Sequence, residues 1–80
     1  MVREVDIKVD GEVLEVLWDT IGLINWNRVE RWEKDEDEPD EFSETYVLKC
    51  GLVIERWGTG AGMEGISIKT DKLWVHFVKK

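Results

Sequence analysis

Apolar and polar positions alternate along much of this chain, a period of two that is typical of half-buried β-strands. In residues 5–9 every second side chain is apolar, and Asp10-Gly11 follows directly. That dipeptide favours a two-residue hairpin turn, because both of its positions tolerate a positive φ. We therefore expect residues 12–18 to form a second strand that pairs antiparallel with the first, with Ile7 opposite Leu14.

Two stretches in the middle of the chain are ambiguous. Residues 19–25 begin with residues that cap helices but contain a glycine, a combination that allows one short helical turn. Residues 26–33 fit either a helix with a partial apolar stripe or a strand. We favour the strand, because residues 28–32 (Arg-Val-Glu-Arg-Trp) echo residues 53–57 (Val-Ile-Glu-Arg-Trp), which are strand-like.

The second half of the chain predicts two hairpins. Their strands are residues 45–49, 52–57, 65–70 and 73–78. Cys50-Gly51 and Asp71-Lys72 provide the turns, and the alternative at the first is one long strand kinked at a glycine bulge. In the second hairpin Ile68 faces Val75, so apolar side chains coincide on one face. Four glycines within residues 58–65 exclude a regular helix or strand and predict a glycine-rich loop.

These elements predict a mainly β protein. We expect a small antiparallel meander of about seven short strands that forms a partly closed barrel or a sandwich, with one short helical turn near residues 19–25. A chain of 80 residues is long enough for one domain, so residues 1–80 are expected to share a single core. The edges of so small a sheet need protection, either by closure or by homodimerisation through an edge strand.

Charge is concentrated in one stretch of the chain. Residues 30–44 contain nine acids and two bases, a net charge of −7, and the other 65 residues contain nine of each. Pro39 interrupts this run, and no core-forming side chain is present between Trp32 and Phe42. We therefore predict a mobile acidic loop over residues 33–44.

The acidic loop has several chemical interpretations. Its spacing fails the EF-hand pattern, which requires glycine where this chain has Asp40, so a calcium site is not expected. Two interpretations are almost equally supported by the sequence: a solvated tip that aids solubility, and a docking surface for a basic protein. Acids at this density oppose direct binding of nucleic acid. They suit an inhibitor that mimics nucleic acid, as small acidic proteins of viruses and mobile elements do.

An exposed aromatic side chain beside the acids would anchor a protein partner. Trp32 adjoins the acidic run, and Phe42 lies near its far end. The predicted partner-binding residues are Trp32, Glu33, Asp35, Glu36, Asp37, Glu38, Asp40, Glu41 and Phe42.

No catalytic, metal or cofactor motif is present elsewhere in the sequence. The glycine-rich loop lacks the Lys-Ser/Thr of a phosphate-binding Walker loop. The only cysteine and the only histidine are Cys50 and His76, and no pattern brings them together. We therefore expect a non-enzymatic protein-interaction module. The alternatives are a homodimeric structural subunit and a ligand-binding or catalytic cleft under the glycine-rich loop that uses Glu64, Trp57, Cys50 or His76.

Composition favours a cytoplasmic protein. The charged start of the chain is unlike a secretory signal, no run has the length of a membrane span, and a lone cysteine suits a reducing compartment. The absence of glutamine alongside many Glu and Lys residues is typical of heat-adapted proteins.

Overall fold

The structure, a computed structural model, describes residues 1–38 and 41–80. In this part of the chain six strands form one sheet, and one α-helix packs on it. In chain order the elements are β1 (Arg3–Val9), α1 (Gly11–Ile21), a 3-10 turn (Trp26–Arg28), β2 (Val29–Glu38), β3 (Glu41–Leu48), β4 (Val53–Gly58), β5 (Glu64–Lys69) and β6 (Leu73–Lys79). The predicted mainly β class is confirmed, with six strands in place of about seven.

The strand order is β1-β6-β5-β4-β3-β2, so β1 and β2 lie at opposite edges. Strands β2 to β6 follow one another as an antiparallel meander. β1 instead pairs parallel with β6, with Val5 opposite Val75. After β1 the chain therefore runs along α1, over one face of the sheet, and enters β2 at the far edge. The sheet formed by the described residues is open and does not close into a barrel.

The predicted hairpin at Asp10-Gly11 is wrong, because residues 12–18 belong to α1 and not to a strand. Asp10 is the N-cap residue, and its backbone oxygen accepts hydrogen bonds from the amides of Val13 and Leu14 at 3.0 and 3.2 Å. Apolar residues of this segment also recur at helical spacing, as Leu14, Leu17, Trp18 and Ile21. This stripe packs against the core, and its burial overrides the local turn preference of Asp-Gly. The helical turn expected near residues 19–25 is in part the last turn of α1.

The core lies between α1 and the sheet face beneath it. Leu14 of the helix and Leu48, Ile54 and Ile66 of three adjacent strands are each no more than 9% exposed. Burying a side chain of this size contributes roughly 1.5–3 kcal/mol. Within the described residues no second layer covers the other side of the sheet, which we term the uncovered face. No helix in the same residues is long and apolar enough to cross a membrane.

Replacing Leu14 with alanine is expected to lower the free energy of unfolding by about 2–5 kcal/mol, because Leu14 is 7% exposed at the helix–sheet interface. Val16→Ala is the matched control. Val16 is 60% exposed, and its replacement should change stability by about 0.5 kcal/mol or less. Urea denaturation of both variants measures the difference. In a strand the two residues would share one face, so equal losses would contradict the helix.

The acidic stretch predicted as a mobile loop is largely strand. Residues 33–38 belong to β2 and residues 41–44 to β3, while residues 39 and 40 lie outside the described residues. Cross-strand pairing explains the difference. Trp32 lies opposite Tyr46, Glu33 opposite Thr45 and Asp35 opposite Ser43, so the backbone of this acidic segment pairs with β3.

Two predicted turns are present. In the β5–β6 hairpin Ile66 lies opposite Phe77 and Ile68 opposite Val75, which is the predicted register. The strands β3 and β4 are joined by a tight turn in which Gly51 has a φ of 95°, so this part of the chain is not one long kinked strand. The glycine-rich stretch joins β4 to β5 over residues 59–63.

Candidate functional site

The hairpin of β2 and β3 forms one end of the sheet, and β2 is its edge strand. Eight of the nine predicted partner-binding residues lie in it: Trp32, Glu33, Asp35, Glu36, Asp37 and Glu38 in β2, and Glu41 and Phe42 in β3. The ninth, Asp40, is outside the described residues. The structure therefore brings the described members of the set together in one hairpin at an open edge of the sheet.

The two faces of this hairpin differ in chemistry. Trp32 lies opposite Tyr46 on the face shared with α1, and Phe42 is on the same side. Side chains alternate along a strand, so Glu33 and Asp35 point to the uncovered face. A partner that touches both Trp32 and Glu33 must therefore reach around the edge strand. Glu44, in contrast, lies on the same face as Trp32, and Asp35 and Phe42 border one groove at the end of the hairpin.

Two ion pairs within β2 offset part of the negative charge. Arg31 Nε lies 3.1 Å from Glu33 Oε1, and Lys34 Nζ lies 3.1 Å from Glu36 Oε1. These four side chains are between 46% and 65% exposed. Such pairs contribute about 0–1 kcal/mol each and weaken as salt rises. With nine acids against two bases in residues 30–44, the hairpin stays strongly negative.

Four aromatic side chains gather at the base of the hairpin, and we term them the aromatic cluster: Trp18, Trp26, Trp32 and Tyr46. The ring centroids of Trp26 and Trp32 are 6.3 Å apart in an edge-to-face arrangement. Tyr46 lies between Trp26 and Trp18, with centroid distances of 5.6 and 5.9 Å. Trp26 is 60% exposed and Trp32 48% exposed, so both rings are available for contact. The sequence pattern does not single out Trp26, because the 3-10 turn that positions it has no apolar periodicity.

One carboxylate links two members of the aromatic cluster. The hydroxyl of Tyr46 donates a hydrogen bond to Glu44 Oε1, and Trp32 Nε1 donates to the same oxygen over 3.4 Å. Burial of the Tyr46 ring, the hydrogen bond to Glu44 and the charge of Glu44 together raise the pKa of Tyr46 to about 12. Tyr46 therefore remains a neutral donor at physiological pH and holds Glu44 beside Trp32.

Tyr46 is the only tyrosine, so absorbance of tyrosinate reports its ionisation directly. We expect a midpoint near pH 12 in the folded protein, against the ordinary value of 10.0 after unfolding. Because folding raises the pKa of Tyr46, the neutral hydroxyl contributes to the free energy of unfolding. This contribution is fully present below pH 10 and is lost as the pH rises through 12. Glu44→Gln should lower the folded midpoint, since it removes the neighbouring charge. An unshifted midpoint in the folded wild type would contradict the Tyr46–Glu44 contact.

A cleft of about 500 Å³ lies between α1 and strands β4 to β6. Its charged lining is mixed, with Glu15, Asp19, Arg56, Glu64 and Lys79. The guanidinium carbon of Arg56 lies 5.0 Å from the ring centroid of Trp18, a cation–π distance. Trp57 and Glu64 line this cleft as the sequence suggested, but Cys50 and His76 do not.

A groove of about 310 Å³ lies where the hairpin meets the end of β4, lined by Asp35, Glu41, Phe42, Ser43, Gly58 and Thr59. The ring of Phe42 packs directly on Gly58, where an added Cβ would lie within 3.0 Å of Phe42 Cζ. Because Gly58 has no side chain, the ring of Phe42 can pack close to the sheet. Two carboxylates beside an aromatic ring match the chemistry of a lysine or arginine side chain.

A chain of hydrogen bonds crosses the uncovered face of the sheet. Ser67 Oγ accepts from Trp57 Nε1 at 2.9 Å and lies 2.6 Å from His76 Nδ1. His76 Nε2 lies 2.7 Å from Glu4 Oε1. A serine, a histidine and a carboxylate in series resemble a nucleophilic triad. Ser67 is only 3% exposed, however, so its hydroxyl is shielded from any substrate.

Comparison of the chain with known protein families, with curated proteins and with solved structures found no match. Function is therefore inferred from the arrangement of this chain's own residues. The features with chemical content are the acidic hairpin with its aromatic cluster, the mixed-charge cleft, and the hydrogen-bonded chain on the uncovered face.

Proposed function

We propose that this protein is a non-enzymatic interaction module that docks a basic segment of a partner protein along the β2–β3 hairpin. One observation carries the proposal. The stretch 30–44 holds the whole net charge of −7, and its described residues lie in the edge hairpin of the sheet, next to two exposed tryptophans. A solvating surface needs the charge but not the aromatic rings beside it.

Electrostatics supports a basic partner. A field confined to one hairpin steers a cationic surface toward that hairpin and raises its association rate. The carboxylates of Glu33, Asp35, Glu36 and Glu41 are exposed. The attraction should therefore fall as salt shortens the screening length, which is about 8–10 Å at physiological ionic strength. The same charge repels the acidic hairpin of a second copy, which disfavours homodimerisation through β2.

Backbone geometry supports an extended partner segment. Within the described residues β2 pairs with β3 alone, so its outer edge presents backbone N–H and C=O groups to solvent. An edge strand of this kind accepts an additional strand from a partner. Alternate residues of that added strand would reach the two faces of the hairpin, where Glu33 and Asp35 lie on one side and Trp32 on the other.

A charge reversal tests the docking surface. The triple variant Glu33→Lys, Asp35→Lys, Glu36→Lys should weaken binding of a synthetic peptide of alternating Lys and Val by about tenfold or more, measured by calorimetry at low salt. The matched control is Glu12→Lys, Glu15→Lys, Asp71→Lys, which changes net charge equally at exposed positions away from the hairpin. Equal loss in both variants would mean that only net charge matters, and would overturn docking at the hairpin.

A second substitution tests the aromatic anchor. Trp32→Ala should weaken binding of the same peptide by about 2 kcal/mol, because an exposed tryptophan at an interface contributes far more than its neighbours. Leu23→Ala is the control, since Leu23 is 84% exposed and lies outside the aromatic cluster. If Trp32→Ala binds the peptide like the wild type while the charge-reversal variant does not, binding is purely electrostatic. The prediction that Trp32 anchors the partner is then wrong. Competition by duplex DNA for the partner would identify the narrower case of an inhibitor that mimics nucleic acid.

The mixed-charge cleft is the alternative site, and its volume of about 500 Å³ is the observation in its favour. Glu64→Gln separates the two proposals. It alters the lining of the cleft but should leave peptide binding at the hairpin unchanged. Homodimerisation, the other alternative, is checked by sedimentation at two protein concentrations.

A further inference from the structure

We propose that Glu4, Asp6 and His76 form a binding site for a divalent transition-metal ion such as zinc on the uncovered face. The parallel pairing of β1 with β6 places Asp6 directly opposite His76. Glu4 is two residues from Asp6 and therefore shares its face. One oxygen from each carboxylate and one ring nitrogen of His76 all lie within 4.8 Å of one another.

The distances allow one ion after small side-chain movements. Ligand atoms bound to one tetrahedral zinc ion lie about 3.4 Å apart, given metal–ligand distances of about 2.1 Å. To reach that spacing, the 2.7 Å distance between His76 Nε2 and Glu4 Oε1 must lengthen slightly. The largest distance between ligand atoms of the three residues, which is no more than 4.8 Å, must shorten. The Glu4 side chain is 58% exposed, so it can change rotamer without disturbing the core.

The ring nitrogen of His76 that faces away from the carboxylates, Nδ1, contacts a residue outside the ligand set. Ser67, which is 3% exposed, lies 2.6 Å from His76 Nδ1 and is itself fixed by the indole N–H of Trp57. Metal-binding histidines characteristically donate their second ring N–H to an oxygen, which fixes the ring and its tautomer. Ser67 Oγ can accept such a bond from Nδ1–H, which leaves the lone pair of Nε2 free for a metal.

Space for this support depends on a glycine. Trp57 lies opposite Gly65, and an added Cβ at Gly65 would come within 2.7 Å of Trp57 Cε2 and 2.9 Å of the Phe77 backbone oxygen. The indole can therefore cross β5 and reach Ser67 only because Gly65 has no side chain. Ser67 and Trp57 therefore orient the imidazole of His76 through hydrogen bonds, as residues outside the ligand set do at metal sites.

The donor set indicates the class of metal. An imidazole with two carboxylates suits zinc and its first-row neighbours, whereas calcium and magnesium prefer oxygen ligands alone. Three protein ligands would leave a coordination position for water, which distinguishes this site from a closed structural zinc site. The proposal is independent of peptide docking, because the ligands lie on β1 and β6 at the opposite edge of the sheet from β2.

Zinc titration of the full chain tests the site. Cys50→Ser serves as the starting protein, since Cys50 is exposed and a thiolate is itself a good zinc ligand. Calorimetry should show one zinc ion per chain, and Asp6→Asn should weaken it by about tenfold or more. Asp19→Asn, an exposed acid on α1, is the matched control and should bind like the starting protein. Ser67→Ala should weaken zinc by about 10–100-fold although it removes no ligand.

His76 is the only histidine, so its ring nitrogens give an unambiguous NMR readout. Saturating zinc should shift the Nε2 resonance and leave Nδ1 protonated. The charge reversal in the β2–β3 hairpin should leave this shift unchanged. Absence of zinc binding, an unmoved His76 resonance, or equal affinity in Asp6→Asn and Asp19→Asn would each overturn the site.

Discussion

The parallel pairing of β1 with β6 determines where the other elements lie. Because β6 already pairs with β5 on its other side, β1 becomes one edge of the sheet. The chain must then travel over the sheet before β2 can begin, and α1 fills that path and covers the core. β2 is left as the opposite edge, so the acidic strand is exposed to solvent. The same pairing sets Glu4 beside His76, two residues that are 72 positions apart in the chain.

Edge position explains how so acidic a segment can be a strand. In the interior of a sheet each carboxylate would need a partner, because burying an unpaired charge is costly. At the edge the side chains of Glu33, Asp35 and Glu36 are exposed to water, and the bases Arg31 and Lys34 pair with Glu33 and Glu36 along β2. The acids also repel another acidic edge, which is how many sheets avoid aggregation. The proposed selectivity for a basic segment rests on the same charges.

The parts of the fold that were predictable from sequence are those determined by neighbours in the chain. The β5–β6 hairpin and its register follow from alternation and a turn sequence that agree with each other. At Asp10-Gly11 alternation and the turn sequence also agree, but on a hairpin that does not form, because the apolar stripe of α1 is stabilised by strands far along the chain. The described members of the predicted partner-binding set lie together because they are close in sequence, but their division between two faces was not predictable. The position of Trp26 beside Trp32 and the contact between His76 and Glu4 depend on the tertiary structure, and no local sequence pattern predicts them.

The parallel edge also bears on the order of folding. Strands β2 to β6 contact their sequence neighbours, so their loops are short, whereas β1 must close a loop that spans most of the chain. β1 is therefore expected to dock late, onto a meander that is already formed. Until it does, the outer edge of β6 is unpaired and open to strands of other molecules. Removal of β1 by proteolysis would leave that edge bare and would take away both carboxylates that lie beside His76. β1 thus covers an otherwise open edge of β6 as well as completing the sheet.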